Sequence, residues 1–221
     1  MTRTRGKDVL GPSGQRRDKR NRVVHVFTEG RLTEPSYIDI MKQLLSEQRL
    51  PVEVHIANAG ARGSQRKPID LVEAAVPLME RLTREAERNR LREETRPQVW
   101  CLFDRDDHQE LDRAFKQARH GKVRIAFSHP CFEVWRLLHH KDVAGTFNQV
   151  CDLVIDRLPF RNEVEKIKEV HIEQIMGRYN EAKRRALRMN AQHGDHVTLP
   201  NRDPYTDVFH FVEQGLGITS Y

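Results

Sequence analysis

Four short apolar runs punctuate the chain, and each leads into a segment whose apolar residues return at helical spacing. Residues 23–27 (V-V-H-V-F), 52–57 (V-E-V-H-I-A), 99–103 (V-W-C-L-F) and 123–127 (V-R-I-A-F) have the length and composition of strands. The run at 99–103 is unbroken, which fits a strand buried on both faces, as in a parallel sheet. After the first run, Gly30 permits a sharp turn, Thr33 is placed to cap a helix, and Pro35 suits its first turn. Ile38, Met41 and Leu45 then form a core-facing stripe. The same logic gives a helix from Ile69 through Leu71, Ala75, Leu78 and Leu82, and a short one through Leu111, Phe115 and Ala118, closed by Gly121. Phe132, Trp135 and Leu138 set a further helix behind Pro130.

Beyond Val143 the pattern turns helical throughout. Phe147, Val150, Val154 and Leu158 recur on one face, followed by Ile172, Ile175, Tyr179, Ala182, Ala186 and Met189. Thr206 is expected to cap a last helix carrying Val208 and Phe211. The fold class is therefore α/β, a parallel sheet flanked by helices. Its parts are a basic arm (1–22), a core (23–140) and an all-helical extension of the same domain (141–221).

Charge sharpens this division. The 221 residues hold 38 Lys/Arg and 32 Asp/Glu, a net charge of +6. Residues 1–22 carry eight of the former, among them Arg16, Arg17, Lys19 and Arg20, and two of the latter, which leaves thirty of each in the body. Such an arm is built to lie on phosphates or simply to stay solvated. No apolar run approaches the roughly 20 residues that cross a bilayer, so no membrane association is expected. Cys101, Cys131 and Cys151 are odd in number and widely spaced within apolar patterns. They read as reduced, buried thiols of a cytoplasmic protein, with no cysteine-based zinc site.

The chemistry gathers where strands end. The third run stops abruptly in D-R-D-D, the first runs into Thr28-Glu29-Gly30, and the fourth is followed shortly by Glu133. In a parallel sheet the carboxyl ends of the strands share one edge, so Glu29, Asp104, Asp106 and Glu133 can converge. Carboxylates that close repel one another unless they meet water or a cation. Oxygen-only ligands favour Mg²⁺ or Mn²⁺, with Glu29, Asp104 and Asp106 as the ligand set. Glu34, at a helix start, is favoured there by the dipole alone. Arg62, Arg66 and Lys67, in a Gly-rich loop, are candidates for phosphate contact. His129 reads as a hydrogen-bonded structural residue, His139 and His140 as surface, and His193, Asp195 and His196 as a polar loop. No phosphate-binding G-x-x-x-x-G-K-[ST] loop or G-x-S-x-G elbow is present, which argues against an ATPase or a serine hydrolase.

A strand ending in Glu-Gly and a later strand ending in Asp-x-Asp resemble the Toprim domain of topoisomerases, primases and related nucleases. More specifically, V-F-T-E-G-R-L-T-E-P-S-Y, V-W-C-L-F-D-R-D-D-H, A-F-S-H-P-C-F-E-V-W-R-L-L-H and D-P-Y-T-D-V, in that order, resemble the RloB-like family. The resemblance implies a Toprim-like fold and a metal-dependent nuclease of bacterial anti-phage defence. It further implies a substrate of RNA such as tRNA, or DNA, and a partner AAA-type ATPase; self-association is left open. It implies Glu29 as general acid/base, Asp104 and Asp106 as metal ligands, and Glu133 as a supporting ligand or positioning group, with Glu34 and Asp107 unassigned. The family pattern has Asn-Pro where this chain has Asp203-Pro204. Two other readings compete: a haloacid-dehalogenase-type phosphatase, whose Asp-x-Asp would belong on the first strand, and a non-catalytic Toprim-like scaffold of an ATPase complex.

Overall fold

The structure is a computed structural model that describes residues 21–105 and 110–221. Asp106, Asp107 and the arm residues Arg16, Arg17, Lys19 and Arg20 lie outside the described residues. All four expected strands form: β1 (Arg22–Thr28), β2 (Val52–Ile56), β3 (Gln98–Asp104) and β4 (Arg124–His129). They pair in parallel, and a two-residue β5 (Tyr205–Thr206) adds antiparallel to β4, giving the order β2-β1-β3-β4-β5. The architecture is a Rossmann-like α/β sheet.

Both faces of the sheet are covered, which is why β3 is apolar throughout residues 99–103. Trp100 and Leu102 point into a core built with α1 (Thr33–Glu47), α4 (Glu133–Leu138), α6 (Tyr179–Asn190) and α7 (Val208–His210). Val99, Cys101 and Phe103 point the other way, against α2 (Pro68–Arg88) and α3 (Leu111–His120). Period-two alternation between two buried faces leaves no position for a polar side chain until the strand leaves the sheet at Asp104.

The carboxyl part differs from expectation in two ways. It is not all helical, because it supplies β5. Thr206 lies in that strand, where its hydroxyl pairs with Ser128 (3.1 Å) and keeps only a long contact from the Val208 N–H (3.5 Å) that opens the last helix. The stretch after Val143 is also not continuous helix. α5 (Cys151–Ile155) is a single short element, bounded by positive φ at Asn148 (52°) and Gln149 (63°), and a second break falls at Gly177 (73°). Val154 is buried from α5, and Phe147, Leu158 and Ile175 are buried from outside any α-helix, whereas Val150 is 43 % exposed. Pro159, with no N–H to donate, helps end the helix that the spacing suggested.

His139 is likewise not a surface residue. It is buried, with its ring nitrogens on the Trp135 carbonyl (2.8 Å) and the Tyr221 hydroxyl (2.9 Å), while His140 is half-buried. Among the described residues no helix is long and apolar enough to cross a membrane.

The edge at β4 is fixed by one carboxylate. Asp207 accepts the Phe127 N–H (2.7 Å) and the Tyr205 hydroxyl (3.3 Å), and returns its own N–H to the Phe127 carbonyl (3.1 Å). Asp207→Ala should therefore cost about 1–3 kcal/mol in urea unfolding, and Asp207→Asn much less, because the amide oxygen still accepts from Phe127. Equal effects of the two substitutions would show that the hydrogen bond is not what holds the edge.

Candidate metal centre

The strand order reverses between β1 and β3. The chain leaves β1 toward β2 on one side and leaves β3 toward β4 on the other, which opens a crevice at their carboxyl ends. Glu29 sits on one lip and Asp104 on the other. The Glu29 N–H extends the ladder to the Leu102 carbonyl (3.0 Å), and its Oε2 accepts the Asp104 backbone N–H (2.9 Å). Two acids 75 residues apart are thus tied together by the sheet itself.

Two more carboxylates close in from helix starts. Glu34, on the first turn of α1, reaches back to accept the Gly30 N–H (2.9 Å). This contact gives the reason for glycine here. A Cβ on Gly30 would lie 1.9 Å from Glu34 Oε2, so close approach, and not backbone freedom, excludes a side chain. Thr33 opens the same helix, and Leu32 occupies the capping position without a side-chain bond. The Thr33 hydroxyl is spent instead on Glu133 Oε1 (3.0 Å), at the start of α4. Arg136, one helical turn on and fully buried, lies 3.9 Å from the same oxygen. Its guanidinium also donates to the carbonyls of Ile167 (2.6 Å) and Glu169 (3.3 Å) and to Gln174 Oε1 (2.9 Å). The helix start therefore holds the loop that carries Lys168 over the site. Together these groups line a slot of about 310 Å³, with Arg31 and Lys168 as its cations and Cys131 and Cys151 in its wall.

Burial and mutual repulsion set the electrostatics. Desolvation first, then the charges of Glu34, Glu29 and Glu133, push the Asp104 carboxyl well above the ordinary carboxylate range. Desolvation likewise raises Glu34 to about 7, opposed by the Gly30 N–H. Acids held in a charge state they disfavour, each offering oxygen donors, make a donor set suited to a hard divalent cation. Glu29 and Asp104 fit that role; Asp106, the third expected ligand, lies outside the described residues.

The Gly-rich loop divides by burial. Arg62 and Lys67 are exposed, but Arg66 is only 6 % exposed and is no phosphate ligand. Its guanidinium donates to the carbonyls of Thr28 (2.9 Å), Gly30 (3.1 Å), Asn58 (2.8 Å), Ala59 (3.2 Å) and Ala61 (3.2 Å). It staples the turn that presents Glu29 to the end of β2. Asn58 clamps the same turn, with its amide on the Thr28 N–H (3.0 Å) and carbonyl (2.8 Å). Asp203 caps the 146–149 loop through Thr146 Oγ1 (2.6 Å) and the Gln149 N–H (2.9 Å), a structural role. His129, expected as a hydrogen-bonded structural residue, is buried with neither ring nitrogen in hydrogen-bonding geometry among the described residues, and burial lowers its pKa to about 4.

Sequence reasoning missed Arg136, Thr33 and Lys168, and left Glu34 without a role. The i,i+3 spacing of Glu133 and Arg136 was a readable signal. The loop that brings in Lys168 has no periodic pattern to read. The pairing of Cys131 with Cys151, a disulfide in the structure, also overturns the expectation of reduced, separate thiols; Cys101 alone remains a buried free thiol.

Raised carboxyl pKa values carry a sign for stability. A carboxyl that holds its proton more tightly folded than unfolded favours the native state below its ordinary value, and that contribution is lost as pH rises through the raised one. His129 and His139 act oppositely but only below 6.5, their ordinary value, so above it the acids dominate. In metal-free buffer the melting temperature should fall from about pH 6.5 to about pH 8, as Glu34 and Asp207 pass their values of about 7. Asp104→Asn should flatten that fall and raise the melting temperature at the alkaline end, by roughly 2–4 °C for each kcal/mol of relieved repulsion. A mutant that melts below wild type at pH 8 would mean the Asp104 charge is not a burden.

Comparison with known proteins adds one match. Residues 24–214 fit the family described as RloB-like protein. No curated protein and no solved structure matches the chain. The match spans every strand of the sheet and all four acidic positions of the slot, and the chain belongs to the RloB-like family.

Proposed function

We propose that this protein is a Mg²⁺- or Mn²⁺-dependent nuclease that hydrolyses phosphodiester bonds. The observation that carries the reading is the Glu29–Asp104 juncture at the sheet's reversal point, where a backbone N–H joins two strand ends and Glu34 and Glu133 complete the acidic wall. Glu29 and Asp104 would hold the cation, with Asp106 beside them by family resemblance. When bound, such an ion polarises a phosphodiester and lowers the pKa of an attacking water.

The chain's own groups divide the remaining work. Glu29, whose Oε2 already accepts the Asp104 N–H, is by family resemblance the group that moves a proton. Thr33 and Arg136 hold Glu133 in one orientation, which makes it a positioning group for the slot. Arg31 and Lys168 flank the opening as cations able to meet a phosphate. Exposed Arg62 and Lys67 extend that positive margin away from the acids. Family resemblance points to RNA such as tRNA, or DNA, as substrate, and to an anti-phage defence setting beside an AAA-type ATPase.

A second reading keeps the fold and drops the chemistry. Glu34 and Asp104 favour their protonated forms, so the cluster is tolerable without a cation, as a scaffold subunit would need.

The deciding experiment is cleavage of tRNA and of single- and double-stranded DNA, with Mg²⁺, Mn²⁺ or chelator, for wild type, Glu29→Gln and Asp104→Asn. Each substitution should reduce a metal-dependent rate roughly 100-fold or more while leaving circular dichroism unchanged. Full activity in Asp104→Asn would discard the site; inactivity of wild type with its ATPase present, and no melting shift with metal, would favour the scaffold. Joint replacement of Arg62 and Lys67 by alanine should lower the slope of log affinity against log salt by about 1 per residue, if they contact phosphate. An unchanged slope would assign them to solvent.

A further inference from the structure

We propose that Cys131 and Cys151, together with Glu133, form a redox-gated binding site for a thiophilic divalent cation such as Zn²⁺, separate from the oxygen-only centre at Glu29 and Asp104. The two cysteines are 20 residues apart, one just before α4 and one opening α5, with Cα atoms 5.6 Å apart. Their sulfurs and a carboxylate oxygen of Glu133 all lie within 4.8 Å of one another. Two soft thiolates and one carboxylate are a zinc-type donor set, and the slot beside them leaves a fourth position for water.

Glu133 supplies an independent pointer. Its Oε1 is engaged by Thr33, while its Oε2 faces Cys151 Sγ at 3.6 Å. A disulfide sulfur carries no hydrogen, so that contact is not a hydrogen bond. A carboxylate that is 3 % exposed thus turns one oxygen toward sulfur, with no donor to that oxygen among the described residues. The arrangement is completed by positive charge at that point: a thiol proton, or a cation shared with both sulfurs. Because Oε2 would take the metal, Oε1 keeps its bond to Thr33, and α4 need not move.

The gate follows from sulfur chemistry. Sulfurs bonded to each other offer no thiolate, so disulfide and metal exclude one another. Opening the site is a two-electron thiol–disulfide exchange. Two equivalents of a small-molecule thiol supply two electrons and two protons, the Cys131–Cys151 bond breaks, and the reductant leaves as its own disulfide. Zn²⁺ then displaces the two thiol protons to solvent. Small-molecule disulfide runs the exchange backward once the metal has left.

The test uses the full chain, reduced with a phosphine that does not itself exchange thiols, and Co²⁺ as the probe. Reduced wild type should bind one equivalent that develops a sulfur-to-cobalt charge-transfer band with intense tetrahedral d–d bands, which Zn²⁺ abolishes, whatever further Co²⁺ the oxygen centre takes without such a band. The oxidised chain should show neither. Cys151→Ser should lose most of the charge-transfer intensity, while Asp104→Asn keeps it, so the outcome is independent of whether the oxygen centre is catalytic. No thiolate band in chain whose thiols titrate as reduced, or a band untouched by Cys151→Ser, would overturn the proposal. Should the cysteine variant fail to fold, alkylation of reduced wild type decides. Stoichiometric Zn²⁺ must protect both Cys131 and Cys151, and alkylation at the metal-free rate overturns the site.

Discussion

Like charges that have been taken out of water are the constraint from which the rest of this structure follows. Four carboxylates, from Glu29, Glu34, Asp104 and Glu133, face one slot. Carboxylates so placed are costly unless each finds a donor or a cation. The fold answers three of them locally: the Asp104 N–H for Glu29, the Gly30 N–H for Glu34, the Thr33 hydroxyl and the Arg136 guanidinium for Glu133. Those donors satisfy single oxygens and leave others turned inward. The residual negative charge is what makes the slot a place for a cation and not only a packed junction.

Holding acids in that arrangement demands a rigid frame, and two buried groups outside the slot supply it. Arg66 gathers carbonyls from the turn after β1 and from the end of β2, and Asn58 locks the last residue of β1 from the side. A guanidinium suits this task because its planar fork meets several carbonyls at once and stays charged when buried. On the other flank, Arg136 binds the start of α4 to the loop bearing Lys168. Arg66 acts chiefly on backbone, whereas Arg136 ties backbone to Glu133 itself. Loss of Arg66 would be felt as misplacement of Glu29, an acid carried by the turn it staples, and loss of Arg136 directly at Glu133.

Much of this frame could be read from the chain, and the divisions are instructive. Strands announced themselves because a doubly buried parallel strand has no polar position, as in 99–103. The acidic edge was legible for the same reason: a strand that must be apolar marks its exit by the first charge, Asp104. Less legible was everything set by tertiary closure. Arg66 sits among exposed basic residues in a Gly-rich loop, and nothing local distinguishes it from Arg62 or Lys67. Thr33 had the residue type of a helix cap but gives its hydroxyl to Glu133, 100 residues away. Helical spacing after Val143 gave helix at Tyr179–Asn190 and around Val154, but Phe147 and Leu158 reach the core from outside any helix and Val150 stays exposed. The Cys131–Cys151 pairing depends on α5 folding back on α4, which no spacing encodes.

Glu133 stands where two chemistries meet. Its Oε1 belongs to the hydrogen-bonded wall of an all-oxygen centre suited to hard ions, and its Oε2 faces a pair of sulfurs suited to soft ones. A group shared in this way couples the two sides, and coupling in binding free energy is reciprocal. A dication on the sulfur side would draw negative charge out of the slot and lower the demand for a second cation there. Conversely, a hard ion held by Glu29 and Asp104 would weaken the pull of Glu133 on anything beside Cys151. Thr33 and Arg136 fix the orientation of that carboxylate, so the coupling would run through charge and not through movement of α4.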